Sequence, residues 1–133
     1  MTKKRTVRVG VVGLGIGGMY LKSFMKHPQV EVVALCDTNT ARLDRWIGEC
    51  PTTMPYTDWQ DMFKKADLDA VYIAVPNALH APMTIAAFKC GLHVLCEKPM
   101  AMNTKQAIAM NAAAKKARRN LMIEFSFRFS PAS

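Results

Sequence analysis

Short apolar runs rich in β-branched residues alternate along the chain with amphipathic stretches of helix length, and no low-complexity linker or internal repeat interrupts them. Val7–Val12, Val30–Cys36, Ala70–Val75 and His93–Cys96 are nearly continuous in apolar residues, as strands covered on both faces are. A short piece at Met54–Tyr56 and a last run at Leu121–Phe125 complete the strand candidates. Between them, helices are predicted over Gly17–Lys26, Thr40–Ile47, Asp58–Lys65, Ala78–Lys89 and Thr104–Arg118.

The helix ends are marked. Thr57-Asp-Trp-Gln60 has capping-box form, Asn103 with Gln106 offers a second such start, and Gly91 is placed to stop the fourth helix. His27-Pro28 closes the first helix, because a residue before proline disfavours helical backbone angles. Strand followed by helix, repeated to a final strand, predicts the α/β class with one doubly wound parallel sheet, a single domain over residues 1–133.

Composition bounds this picture without redirecting it. A chain of 133 residues buries roughly two thirds of its unfolded surface, enough for a core without metal or disulfide staples. Cys36, Cys50, Cys90 and Cys96 form no C-x-x-C pair and no cluster with histidine. They read as small core residues of a protein in a reducing, cytoplasmic compartment, and no metal site is expected. The basic start before an apolar run superficially resembles an export signal, but that run is broken by glycines. No stretch is long enough to span a membrane. The net charge of +8 concentrates at Lys3, Lys4, Arg5 and at Lys115, Lys116, Arg118, Arg119. The second cluster falls where an Ala-rich helix ends, and cations there favour the helix dipole, so no nucleic-acid partner is needed to explain it.

Gly13-Leu14-Gly15-Ile16-Gly17-Gly18 satisfies G-x-G-x-x-G through Gly13, Gly15 and Gly18. Alone the string is weak. Here it follows an apolar strand and opens a helix, as its mechanism demands: a tight turn, a side-chain-free approach to a pyrophosphate, and close helix packing. The unpaired N–H groups of that helix, with its dipole, supply an anion site. Asp37 ends the second strand about two dozen residues later, where a carboxylate can accept from the adenosine ribose hydroxyls. This favours NAD over NADP, because a 2′-phosphate would meet Asp37 as a like charge and Thr38 and Asn39 supply no arginine, although Arg42 and Arg45 lie on the next helix. The bland alternative is a structural glycine turn followed by a helix-capping Asp. S-adenosylmethionine methyltransferases use a similar turn, but usually with an acid just ahead of the glycines, where Val11 and Val12 stand.

From the fourth strand onward the motifs become specific: Ala74-Val-Pro-Asn77 with Leu79-His80, Gly91-Leu-His-Val-Leu-Cys-Glu-Lys-Pro-Met-Ala101, and Phe125-Ser-Phe-Arg-Phe-Ser-Pro131. Together they resemble the Gfo/Idh/MocA oxidoreductases, named for glucose-fructose oxidoreductase and inositol dehydrogenase. The resemblance implies a Rossmann domain in which Glu97-Lys98-Pro99 lies beside the nicotinamide. Lys98 would then orient the substrate hydroxyl and join a proton relay. Glu97 resembles the residue that contacts the cofactor ribose, and Pro99 a position often cis. By the same resemblance Ala74, Val75, Pro76 and Asn77 run along the adenosine and pyrophosphate beside Gly13, Gly15, Ile16, Gly17, Gly18 and Thr38. His80 either faces the nicotinamide side or is a polar residue in a first helical turn, whereas His27 and His93 look structural. Arg128 touches either the nicotinamide region or a carboxylate across a domain boundary.

The resemblance further implies a second, substrate-binding domain beyond residues 123–133, which also carries the contacts of a homo-oligomer and has no counterpart before Ser133. Two functions are thus expected. One is the NAD(P)-binding domain of an oxidoreductase acting on a hydroxyl of a sugar, cyclitol or related alcohol, a piece inactive alone. The other is a free-standing, non-catalytic dinucleotide-binding or sensing module.

Overall fold

The computed structural model describes residues 6–124. Six strands, β1 (Val7–Val12), β2 (Val30–Cys36), β3 (Met54–Tyr56), β4 (Ala70–Ile73), β5 (His93–Glu97) and β6 (Leu121–Glu124), alternate with five helices. These are α1 (Ile16–Lys26), α2 (Thr40–Glu49), α3 (Trp59–Lys65), α4 (His80–Lys89) and α5 (Thr104–Ala117). All strand pairs are parallel, in the order β3-β2-β1-β4-β5-β6. That is the strand order of the dinucleotide-binding fold, and the predicted Rossmann architecture is present.

Strand periodicity divides the core in two. Val12, Ala34, Cys36, Val71, Ile73, Val94 and Cys96 face Met62 and Phe63 of α3, Met83, Ala87 and Phe88 of α4 and Ala114 of α5. Their alternates Val11, Leu35 and Tyr72 face Leu21 of α1 and Leu43 and Trp46 of α2. A strand covered on both sides has no polar face to present, which is why these segments read as unbroken apolar runs.

Several boundaries differ from expectation for local reasons. The third helix is capped by Asp58 rather than Thr57: the Asp58 carboxylate accepts from Gln60 N at 2.8 Å, and its backbone is extended. The capping box at Asn103 forms, with Asn103 Oδ1 accepting from Gln106 N at 2.9 Å, but Gln106 Oε1 accepts from Met102 N rather than from the cap residue. The fourth strand stops at Ile73, two residues early, and a 3-10 turn at Asn77–Leu79 delays the fourth helix to His80. Proline at 76 has no N–H to continue the ladder. Gly91 stops α4 with φ +77°, and His27 ends α1 in an extended conformation.

Three of the four cysteines are core residues, but Cys90 is exposed at the end of α4. Burial, with the Asp37 and Asp58 charges, pushes the Cys36 thiol up to about 12. Burial foremost raises Cys96 to about 11. Both therefore stay protonated and unreactive. Among the described residues no helix is long and apolar enough to cross a membrane.

Gly48 occupies the exposed side of α2, with nothing within 4 Å of an added Cβ. Gly48→Ala is therefore expected to raise unfolding stability by about 0.5–1 kcal/mol through helix propensity alone. Urea denaturation measures this, and an unchanged or lower midpoint would contradict the open environment described.

Candidate functional site

The site begins where β1 ends. Between β1 and β2 on one side and β4 on the other, successive connections leave the sheet in opposite directions, which opens a crevice at the carboxyl edge. Gly13 makes the turn with φ +89°, and a Cβ there would lie 2.1 Å from the Ala74 carbonyl oxygen. Only glycine fits on both counts. Gly13 N donates to Cys36 O at 2.9 Å, joining the turn to the end of β2.

The other glycines divide the remaining work. A Cβ on Gly15 would crowd the Arg42 guanidinium at 3.1 Å, while Gly17 lies against Val11 and Ala74 on the sheet. Gly18 lets the indole of Trp46 approach to 2.8 Å from where a Cβ would stand, so it seats α1 on α2. Gly15 caps α1 with no side-chain hydrogen bond, and the first turn carries no acid. The start of α1, with its N-terminal N–H groups and the positive end of its dipole, lines the crevice with no acid in its own first turn.

Asp37 is 8% exposed and its carboxylate is already engaged. Oδ2 accepts from Leu14 N at 2.9 Å and from Arg42 Nη1 at 3.3 Å, and Oδ1 accepts from Asn39 N at 2.8 Å. It thus laces the glycine turn to the start of α2. A carboxylate offers about four acceptor sites, so three donors leave room for about one more.

The crevice has a volume of about 610 Å³, within the range of small-molecule sites. Of the residues singled out in the sequence, Gly13, Gly15, Ile16, Asp37, Thr38, Ala74, Val75, Pro76 and Asn77 line it. Gly17 and Gly18 lie beneath it, buried. The walls also include Asn39, Arg42, Thr57, Trp59, Leu79 and Met83, which the sequence reading did not assign to the site. Thr57 and Trp59 follow β3, whose carboxyl end shares the edge of β2, so that strand order would have pointed to them.

At the neighbouring β5 exit, Glu97 is buried and accepts a hydrogen bond from the Tyr72 hydroxyl of β4. Burial, and secondarily this bond, hold the Tyr72 phenol far above its ordinary range, so it remains the donor. Lys98 and Pro99 follow on the surface, with the Lys98–Pro99 peptide bond cis. His80 has no exposed surface, and its ring points into the protein between the two loops rather than into the crevice. His27 and His93 each accept a backbone N–H through Nδ1, as structural residues. Arg128 lies outside the described residues.

The set suits an anionic dinucleotide: glycine backbone with no room for a Cβ, an uncapped helix start, and a carboxylate beside the turn with acceptor capacity to spare. Comparison with known proteins agrees. Residues 7–125 match the oxidoreductase family with NAD-binding Rossmann fold, GFO_IDH_MocA. The chain belongs to this family. Within it, the chain is 36% identical over 124 residues to 1-carboxy-3-chloro-3,4-dihydroxycyclohexa-1,5-diene dehydrogenase of Comamonas testosteroni, covering 92% of this chain and 31% of the relative. It is 35% identical over 121 residues to D-xylose 1-dehydrogenase (NADP(+)) 2 of Haloferax volcanii, covering 89% and 37%. Among solved structures, scyllo-inositol dehydrogenase from Lactobacillus casei with bound NAD(H) and scyllo-inositol superposes with a TM-score of 0.90 at 26% identity, covering 96% of this chain and 38% of that one. The chain spans about a third of the length of these family members.

Proposed function

We propose that this chain is the cofactor-holding domain of an oxidoreductase that moves a hydride between NAD and a hydroxyl of a sugar, cyclitol or related alcohol. The observation that carries the reading is the arrangement along one sheet edge. The Gly13 turn and Asp37 line the crevice at the exits of β1 and β2, and Lys98 follows the end of β5, two strands from β1. Lys98 presents an ammonium on an exposed turn at that edge, suited to orient a substrate hydroxyl and to pass a proton. Bound in the crevice, the dinucleotide supplies the hydride chemistry. Glu97, steadied by Tyr72, fixes the backbone from which Lys98 projects. The relatives' substrates support a small polyol or sugar as partner, and a cytoplasmic homo-oligomer is the setting we assign to the whole enzyme.

Asp37 makes NAD the preferred cofactor. A 2′-phosphate near this buried carboxylate is repelled, and Arg42, already paired with Asp37, offsets part of that repulsion. Titration of the chain with NADH and NADPH, followed by tryptophan fluorescence from Trp59 in the crevice wall, is expected to show NADH binding roughly tenfold tighter. Tighter NADPH binding would remove Asp37 from the ribose-discriminating role.

A further inference from the structure

Asp37 repels a 2′-phosphate, yet a cation stands beside it in the same crevice. Arg42 is the third residue of α2, and its backbone N–H donates to the Asn39 cap at 3.0 Å, so its side chain leaves from a fixed point. The guanidinium lines the crevice. Its Nη1 donates to Asp37 Oδ2 at 3.3 Å and lies 3.1 Å from where a Cβ on Gly15 would stand. It therefore spans from the acid to the glycine turn.

The two charges of this pair differ in freedom. The Asp37 side chain is 8% exposed and is held by two backbone N–H groups besides the arginine, whereas the Arg42 side chain is 44% exposed. An anion entering the crevice thus meets the guanidinium more readily than the carboxylate. Arginine carries its N–H donors in a rigid fork, and among the described residues the Arg42 guanidinium makes one hydrogen bond, longer than usual. The remaining donors match a phosphate, which such a fork binds through two parallel bonds. Arg45, the other arginine of α2, is engaged elsewhere: its guanidinium lies 5.8 Å from the ring centre of Trp46, and it does not line the crevice.

We infer that Arg42 is a specificity-determining residue: it exchanges Asp37 for the 2′-phosphate of NADP, so that the crevice takes NADP as a second cofactor while Asp37 keeps NAD ahead. The inference rests on the dinucleotide reading of the crevice. With NAD bound, the guanidinium stays on Asp37. With NADP bound, the fork turns to the phosphate, and the carboxylate keeps its two backbone donors. The exchange leaves no buried charge without a partner.

Arg42→Met keeps the aliphatic stem and removes the fork. In titrations of the chain, this variant is expected to bind NADPH about tenfold more weakly than the parent, as the loss of a charge-assisted bond implies, and NADH within about threefold of it. The preference for NADH then widens to roughly a hundredfold. Arg42→Lys keeps a charge without the fork and is expected to fall between, with NADPH weakened roughly threefold. The urea midpoint is measured beside each titration; should Arg42→Met lose the fold, Arg42→Lys carries the comparison, and unchanged NADPH affinity there overturns the role of the fork. Equal weakening of both cofactors in Arg42→Met would place the arginine on the pyrophosphate they share and overturn the inference, as would NADPH affinity equal to the parent's. A parent that binds NADH but not NADPH overturns it too and leaves the cofactor reading standing, whereas a parent that binds neither removes that reading and the inference with it.

Discussion

Gly13→Ala is expected to lower unfolding stability by roughly 3 kcal/mol and to abolish measurable NADH binding. Two costs add at this position. The backbone stands at φ +89°, where a non-glycine residue is strained by about 1–3 kcal/mol. The new methyl would also lie 2.1 Å from the oxygen and 2.7 Å from the carbonyl carbon of Ala74, a backbone group that cannot swing aside as a flexible side chain does. Relieving that overlap means shifting the β4 exit or the turn, an overpacking cost of about 1–3 kcal/mol. For a domain of this size the melting temperature should fall by roughly 10 °C or more. Either movement displaces the N–H groups at the start of α1 from the crevice, so affinity falls with stability. Thermal denaturation and an NADH titration check both parts. A variant as stable as the parent would mean that the turn does not approach β4 as described.

Lys98→Met, made in the whole oxidoreductase, is expected to reduce turnover by about 10²–10⁴-fold, the usual contribution of a positioned proton-transfer group. NADH affinity should stay within about threefold of the parent value, because the residues that line the crevice lie on other loops. Methionine keeps the length and apolar stem of lysine while deleting the ammonium, so packing is disturbed little. Steady-state kinetics beside a binding titration separates the effects. Loss of binding together with turnover would place Lys98 in cofactor attachment, and retained turnover would remove it from catalysis.

Much of the architecture was legible along the chain. Strands β1, β2, β4 and β5 follow from nearly continuous apolar runs, and the helices from ends marked by Asn103, Gly91 and His27-Pro28. The misreadings sit where two local signals compete. Thr57 and Asp58 can both cap a helix, and the choice fell to Asp58 because the chain is still extended there, which leaves Thr57 on the crevice wall. Cys90, grouped with the other three cysteines as a small core residue, lies where the helix ends and is exposed.

The site was legible in part for the same reason. The chain by itself determined the glycine turn, the acid at the end of β2 and the Glu97-Lys98-Pro99 segment, because these act through backbone geometry and spacing within a few residues of a strand end. Only the tertiary structure decided who meets whom across the edge of the sheet. Tyr72 reaches Glu97 across 25 positions, and His80 reaches Pro99 across 19. Trp59 enters the crevice because β3 pairs with β2. Such meetings depend on strand order and on the rotation of each helix over the sheet, which the packing of the whole core sets and no local pattern encodes.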